Sequence, residues 1–190
     1  MILDVFKYYA QFPKLEGVKE IFANGKSEYP LYTQLEDYID NMSSHSLIPE
    51  IDGYVFGQSY DDVKAQIGKL TGSYLFVDFG SFTSNRDQRN SIQETFELAV
   101  TIASKIPDAS DLVEIAIITD QLLQLTNKLR AFQINDQAKH SWLKELSNKH
   151  NIIPFVAPEF SSIGWTVVLS REGADLLDVK ELASNLKNNG

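Results

Sequence analysis

The stretch from Ile92 to Lys105 alternates, and this alternation constrains the fold more than any other feature. Ile92, Phe96, Leu98, Val100 and Ile102 fall at even positions, with Gln93, Thr95, Glu97 and Thr101 between them. A period of two marks a strand with one buried and one wetter face. Glu94 interrupts the apolar side, and Ala99 and Ala103 soften the polar one. Upstream, Tyr74, Leu75, Phe76, Val77 and Phe79 are nearly continuous apolar residues, which suits a strand covered on both faces. Between the two runs lie Asn85, Arg86, Asp87, Gln88, Arg89 and Asn90, too polar for anything but a loop tip. Residues 73–105 therefore read as a hairpin, and its six-residue tip is the candidate contact surface.

The flanking segments are helical. Ile2, Val5, Phe6 and Tyr9 recur at helical spacing, and Leu15, Val18, Ile21 and Phe22 continue the face beyond a break at Pro13. The predicted end of this helix is Gly25. Pro30 opens a short helix through Leu35, Tyr38 and Ile39. Leu47 to Phe56 favours an extended chain. Ser59 and Asp62 form a weak capping box ahead of the stripe Tyr60, Val63, Ile67 and Leu70. Asp108, Ser110 and Asp111 cap a long helix whose stripe, Ile115, Ile118, Leu122, Leu125, Leu129 and Phe132, predicts packing across a sheet. Asn135-Asp136 marks its break, and Ala138, Trp142 and Leu146 suggest another helix. Ile152 to Pro158 and Gly164 to Leu169 form a second hairpin. After Gly173, Leu176, Val179, Leu182 and Leu186 sketch an amphipathic helix that frays at the end. The order of helices, hairpin, long helix and hairpin predicts an α+β fold: a mostly antiparallel sheet of two hairpins against one long helix. Residues 1–190 are expected to form one domain, with a helical segment at 1–45 and a C-terminal helix or tail at 171–190.

Charge and composition narrow the functional classes. The net charge of -9 and pI of about 4.8 oppose direct phosphate-driven binding of nucleic acid. Lys128, Arg130, Lys139, Lys144 and Lys149, with His140 and His150, read first as a solvated helix face. The chain has no cysteine, so disulfides, thiolate metal sites and cysteine nucleophiles are excluded together. The first residues lack the pattern of a signal peptide, and no apolar run approaches the roughly 18 residues a membrane span needs. A cytoplasmic location, or one within a particle, is the expectation.

Motifs of catalysis are weak. Asp78-Phe79-Gly80 spells the magnesium motif of protein kinases, but the glycine-rich loop, strand lysine and catalytic loop that must accompany it are missing. Asp78 is better read as a strand end, with Gly80 allowing a bend. His45, His140 and His150 are scattered without ligand spacing, so no metal site is expected. Glu94 and Glu97 are an odd number of residues apart, which places them on opposite faces of a strand where they cannot work as a pair. Glu94 could be a perturbed acid, could pair with Arg86 or Arg89, or could mark the edge of an oligomer face. No cofactor or catalytic residue is assigned.

Four segments carry a family resemblance: the N-terminal helix with its following loop, SYLFVDFGSFTSN with ETFELAVTIAS, LLQLTNKLRAF, and IIPFVAPEFSSIGWTVVLS. Their order resembles an uncharacterised family of prophage-like gene clusters, and the small tail-terminator and tail-completion proteins of long-tailed phages. The match covers roughly residues 31–170, and the helix predicted after Arg171 has no counterpart in it. The resemblance implies a sheet flanked by helices, ring assembly at the end of a tail tube, and no catalytic residues. The partners it implies are further copies of the chain and other structural proteins of a phage-like particle, with neither nucleic acid nor membrane contacted directly. Two other readings are a small-molecule or peptide-binding domain (or an enzyme with an unrecognised site), for which the aromatic content of 11% would suffice to line a pocket, and an acidic regulator of a basic partner.

Overall fold

The structure, a computed structural model, describes residues 2–22, 27–58, 60–86, 92–106, 111–140, 143 and 150–173. The chain opens with α1 (Ile2–Ala10), α2 (Leu15–Lys19) and a 3-10 turn (Glu20–Phe22), followed by α3 (Pro30–Asp40). Next come β1 (Gly53–Phe56), α4 (Tyr60–Ile67), β2 (Ser73–Asp78), β3 (Phe82–Arg86) and β4 (Ile92–Lys105). Then α5 (Leu112–Asp136) leads to the closing pair β5 (Asn151–Ala157) and β6 (Ser162–Gly173). This is the α+β arrangement that the residue patterns imply. Gly25, Ser59, Asp108 and Ser110, the helix suggested by Ala138, Trp142 and Leu146, and the C-terminal helix lie wholly or largely outside the described residues.

β4 is the axis of the sheet, whose strand order is β1-β2-β4-β6-β5. β6 pairs antiparallel along nearly all of one β4 edge, from Glu94↔Gly173 to Lys105↔Ser162. The other edge is shared: β2 takes Ala99 to Ser104, and β3 takes Ile92 to Phe96. The expected first strand is thus two strands, divided at Phe79–Ser81. Asp78 ends β2 and accepts a hydrogen bond from the Gly80 N–H at 2.9 Å, while Gln58 donates to the Gly80 carbonyl at 2.6 Å. Gly80 has φ +31°, and a Cβ there would come within 2.7 Å of the Glu97 carbonyl oxygen, so glycine is required at this bend. The kinase-like word is a strand end.

One pairing has no local signature in the sequence. β1 runs parallel to β2, from Gly53↔Tyr74 to Phe56↔Val77, because α4 carries the chain back across the sheet before β2 begins. The sheet is therefore mixed, with every other pairing antiparallel.

The period-two reading of β4 assigns its faces. Phe96, Leu98, Val100 and Ile102 are buried and register with Arg171, Leu169, Val167 and Trp165 of β6. The helices cover this side. α5 lays Leu122, Thr126 and Leu129 inward, and the Trp165 indole N–H donates to the Thr119 carbonyl at 3.0 Å. Asp111 is the helix N-cap, its side chain accepting from the Glu114 N–H at 2.8 Å. α1 turns Val5, Phe6, Tyr9 and Ala10 into the same core, where Phe6 meets Phe22, Tyr54 and Phe56 edge-on or tilted. The opposite face is smaller: Val55, Val63, Ile67, Tyr74, Ala103, Ala157 and Phe160 form a second cluster under α4. In the middle of that face Thr101 and Thr166, both buried, hydrogen-bond across the strands at 2.7 Å.

Candidate interaction surface

The structure places only part of the proposed tip. Asn85 and Arg86 belong to β3, opposite Gln93 and Ile92, so strand pairing reaches farther toward the turn than their polarity suggests. They are exposed. Asp87, Gln88, Arg89 and Asn90 lie outside the described residues.

β4 separates the two carboxylates as its alternation requires. Glu97 is exposed, and its Oε2 accepts from the Ser81 hydroxyl at 2.9 Å, bracing the Gly80 bend. Glu94 is 4% exposed and faces the helical side. Its Oε1 accepts a long hydrogen bond from Ser84 Oγ at 3.4 Å, and its Oε2 has no hydrogen-bond partner among the described residues. Glu94 registers with Ser84 and Gly173, and its diagonal neighbours on the same face are Arg86, opposite Ile92, and Arg171, opposite Phe96. Among the described residues, no ion pair of 4.0 Å or less joins Glu94 to either arginine.

The cations of the long-helix region are dispersed. Lys128 pairs with Glu50 at 3.3 Å, Lys139 with Asp136 at 2.6 Å, and Arg130 donates from Nε to His150 Nδ1 at 3.4 Å. Lys144 and Lys149 lie outside the described residues. Among the described residues, no three His, Asp or Glu side chains converge as metal ligands. No helix among them is long and apolar enough to cross a membrane.

Three strands end the sheet or border it: β1, β3 and β5. β1 is closed off, since Gly53, Tyr54 and Val55 are buried and Gly17 of α2 sits directly against the Asp52 backbone. β3 and β5 are open. β3 is exposed from Thr83 to Arg86, and β5 is largely exposed from Asn151 to Val156. Exposed edges usually carry charges that discourage pairing with another chain. β5, Asn-Ile-Ile-Pro-Phe-Val-Ala, carries none, and only Pro154 weakens it as a template.

Large apolar side chains are also exposed in β5 and at the start of α5. Val156 is 68% exposed, and Pro154 stands opposite Trp165, the residue that anchors the first third of α5. In that part of α5, Leu112 is 84% exposed, with Val113 and Ile117 also open. The sequence contained this signal. Leu112, Val113 and Ile117 are apolar residues off the stripe that predicts core packing, and β5 has apolar residues on both faces.

No known family model matches the sequence, and no curated protein matches it.

Proposed function

We propose that the protein is a non-enzymatic assembly component of a phage-like particle, built from copies of itself in the manner of a tail terminator. The observation that carries this reading is the pair of open, dissimilar edges, β3 and β5, on one continuous sheet. An edge that pairs with a different edge on the next copy makes a head-to-tail contact, and such contacts close into rings when the rotation permits. The uncharged β5 edge suits this role, because copies of a chain with net charge -9 repel one another elsewhere. The exposed Val156 of that edge, and Leu112, Val113 and Ile117 at the start of α5, add apolar area open to a partner. The resemblance in element order supplies the particle context.

Native mass spectrometry and light scattering at high protein concentration test the proposal. Ring-sized oligomers are expected, and Val156→Lys or Arg86→Glu should reduce them while leaving the circular dichroism spectrum intact. A strict monomer at all concentrations would refute self-assembly. Adjacent genes unrelated to heads or tails would count against the particle.

A further inference from the structure

A second feature stands apart from the sheet edges and does not depend on the assembly reading. α1 has two used faces. Val5, Phe6, Tyr8, Tyr9 and Ala10 are buried, while Asp4, Lys7, the edge of Tyr8 and, just past the helix, Gln11 recur at helical spacing along the floor of an open cleft of about 650 Å³. The end of α3 and the residues after it supply one wall, including Tyr38, Ser43 and Ser44. The turn after α5 supplies the other, with Lys139 and His140.

The chemistry of this lining departs from that of the chain. The protein carries nine more acidic than basic charges, yet among the described residues that line the cleft Lys7 and Lys139 outnumber the acid, Asp4. The serine hydroxyls add neutral hydrogen-bond donors. Flat surfaces flank the cations. Lys7 Nζ lies 4.8 Å from the centre of the Tyr38 ring, and the His140 ring packs edge-on against Tyr8 at 5.3 Å. Tyr8 is itself fixed, its hydroxyl donating to Asp136 Oδ2 at 3.3 Å. Both lysines hold partners that a ligand can displace. Lys139 is 68% exposed in its pair with Asp136, and ion pairs that open to water are weak. The volume lies within the range of about 300–1,000 Å³ usual for small-molecule sites and far exceeds a bare phosphate.

We propose that this cleft binds a phosphorylated small molecule bearing a planar ring. Lys7 would meet the phosphate from the floor and Lys139 from one wall, Ser43 and Ser44 would donate to it from the other, and Tyr38 would stack on the ring.

Titration with AMP, inorganic phosphate and adenosine, followed by calorimetry and by amide chemical shifts on the full chain, tests this. AMP should saturate and should shift the amides of Lys7, Tyr8, Ser43, Ser44, Lys139 and His140. Phosphate and adenosine should each bind at least about tenfold more weakly, and Lys7→Ala with Lys139→Ala should weaken AMP by about tenfold or more with the spectrum otherwise native. The two lysine side chains are outside the core, so the variant should fold. Lack of saturation by AMP, equal binding of phosphate or adenosine, or AMP binding untouched by the double substitution would each overturn the proposal.

Discussion

Gln133 is a polar side chain placed on the core face of α5. It is 1% exposed, its amide nitrogen donates to the Tyr9 hydroxyl, and its Oε1 has no partner among the described residues. Burial pushes the Tyr9 phenol far above its usual range, with the Gln133 hydrogen bond pulling the other way. Tyr9→Phe removes the acceptor and leaves the whole Gln133 amide buried without the bond it has now. Leaving a buried polar group unsatisfied costs about 1–3 kcal/mol. Gln133→Met fills similar volume and removes the amide, including the oxygen that already lacks a partner, so in that background Tyr9→Phe should cost less than about 0.5 kcal/mol. The coupling between the two sites is then about 0.5–3 kcal/mol. Urea unfolding of the four proteins measures it: with a slope of about 2 kcal/mol/M, Tyr9→Phe alone should lower the midpoint by roughly 0.5–1.5 M, and in the Gln133→Met background hardly at all. Equal losses in both backgrounds would mean that the hydroxyl contributes through something other than Gln133, and the reasoning would fail.

Two further outcomes follow from close packing and from charge. Gly164 sits opposite Ala103 in the middle of the sheet, and a Cβ there would fall 2.6 Å from the Ala103 Cα, so Gly164→Val should cost about 1–3 kcal/mol or more, read as a lowered melting temperature; an unchanged one would show that the strands can part to admit the side chain. For Asp52, burial raises the carboxyl, but the Lys14 ion pair at 2.6 Å and the hydrogen bonds with Ser73 outweigh it, so the net shift is downward from 3.8. A carboxyl lowered in the folded state adds stability above its unfolded value and loses it as pH falls through the folded one. Asp52→Asn should therefore flatten the acid limb of the stability profile below about pH 4, and only slightly, because the pair is half exposed. An unchanged acid limb would show that Asp52 does not contribute to it.

Much of this fold can be read from side-chain periodicity, because periodicity reports which face is dry. The α5 stripe is helical in spacing and all six of its positions are buried or half-buried. β4 alternates because one sheet face packs under helices while part of the other stays wetter. What periodicity cannot report is who pairs with whom. Phe-Thr-Ser-Asn-Arg of β3 has no strand pattern; it is a strand because β4 extends past the end of β2 and leaves an edge for it. The parallel pairing of β1 with β2 depends on the α4 crossover, a tertiary fact. For the same reason the contact of Ser84 with Glu94 was out of reach, since it depends on where the chain bends at Gly80. Exposure of Leu112, Val113 and Ile117 was closer to legible, because they fall outside the α5 stripe.

The distribution of exposed apolar surface favours the sheet edge over either sheet face as the place for the proposed assembly. The helical face is filled by α1, α2 and α5. The middle of the other face, beyond the reach of α4, is polar or small: the Thr101 and Thr166 hydroxyls pair across the strands, and Ala99 and Ser170 present little apolar area. A flat partner laid on the middle of that face would gain little from burial, at about 25 cal/mol per Å² of apolar area. At the β5 end the opposite holds. Ile153 and Val156 project to opposite faces of one edge strand, by the alternation of a strand, and both are exposed. A strand added to that edge would satisfy open backbone groups and cover apolar side chains on both faces at once. Burial and hydrogen bonding thus act together at β5, whereas on the faces they do not.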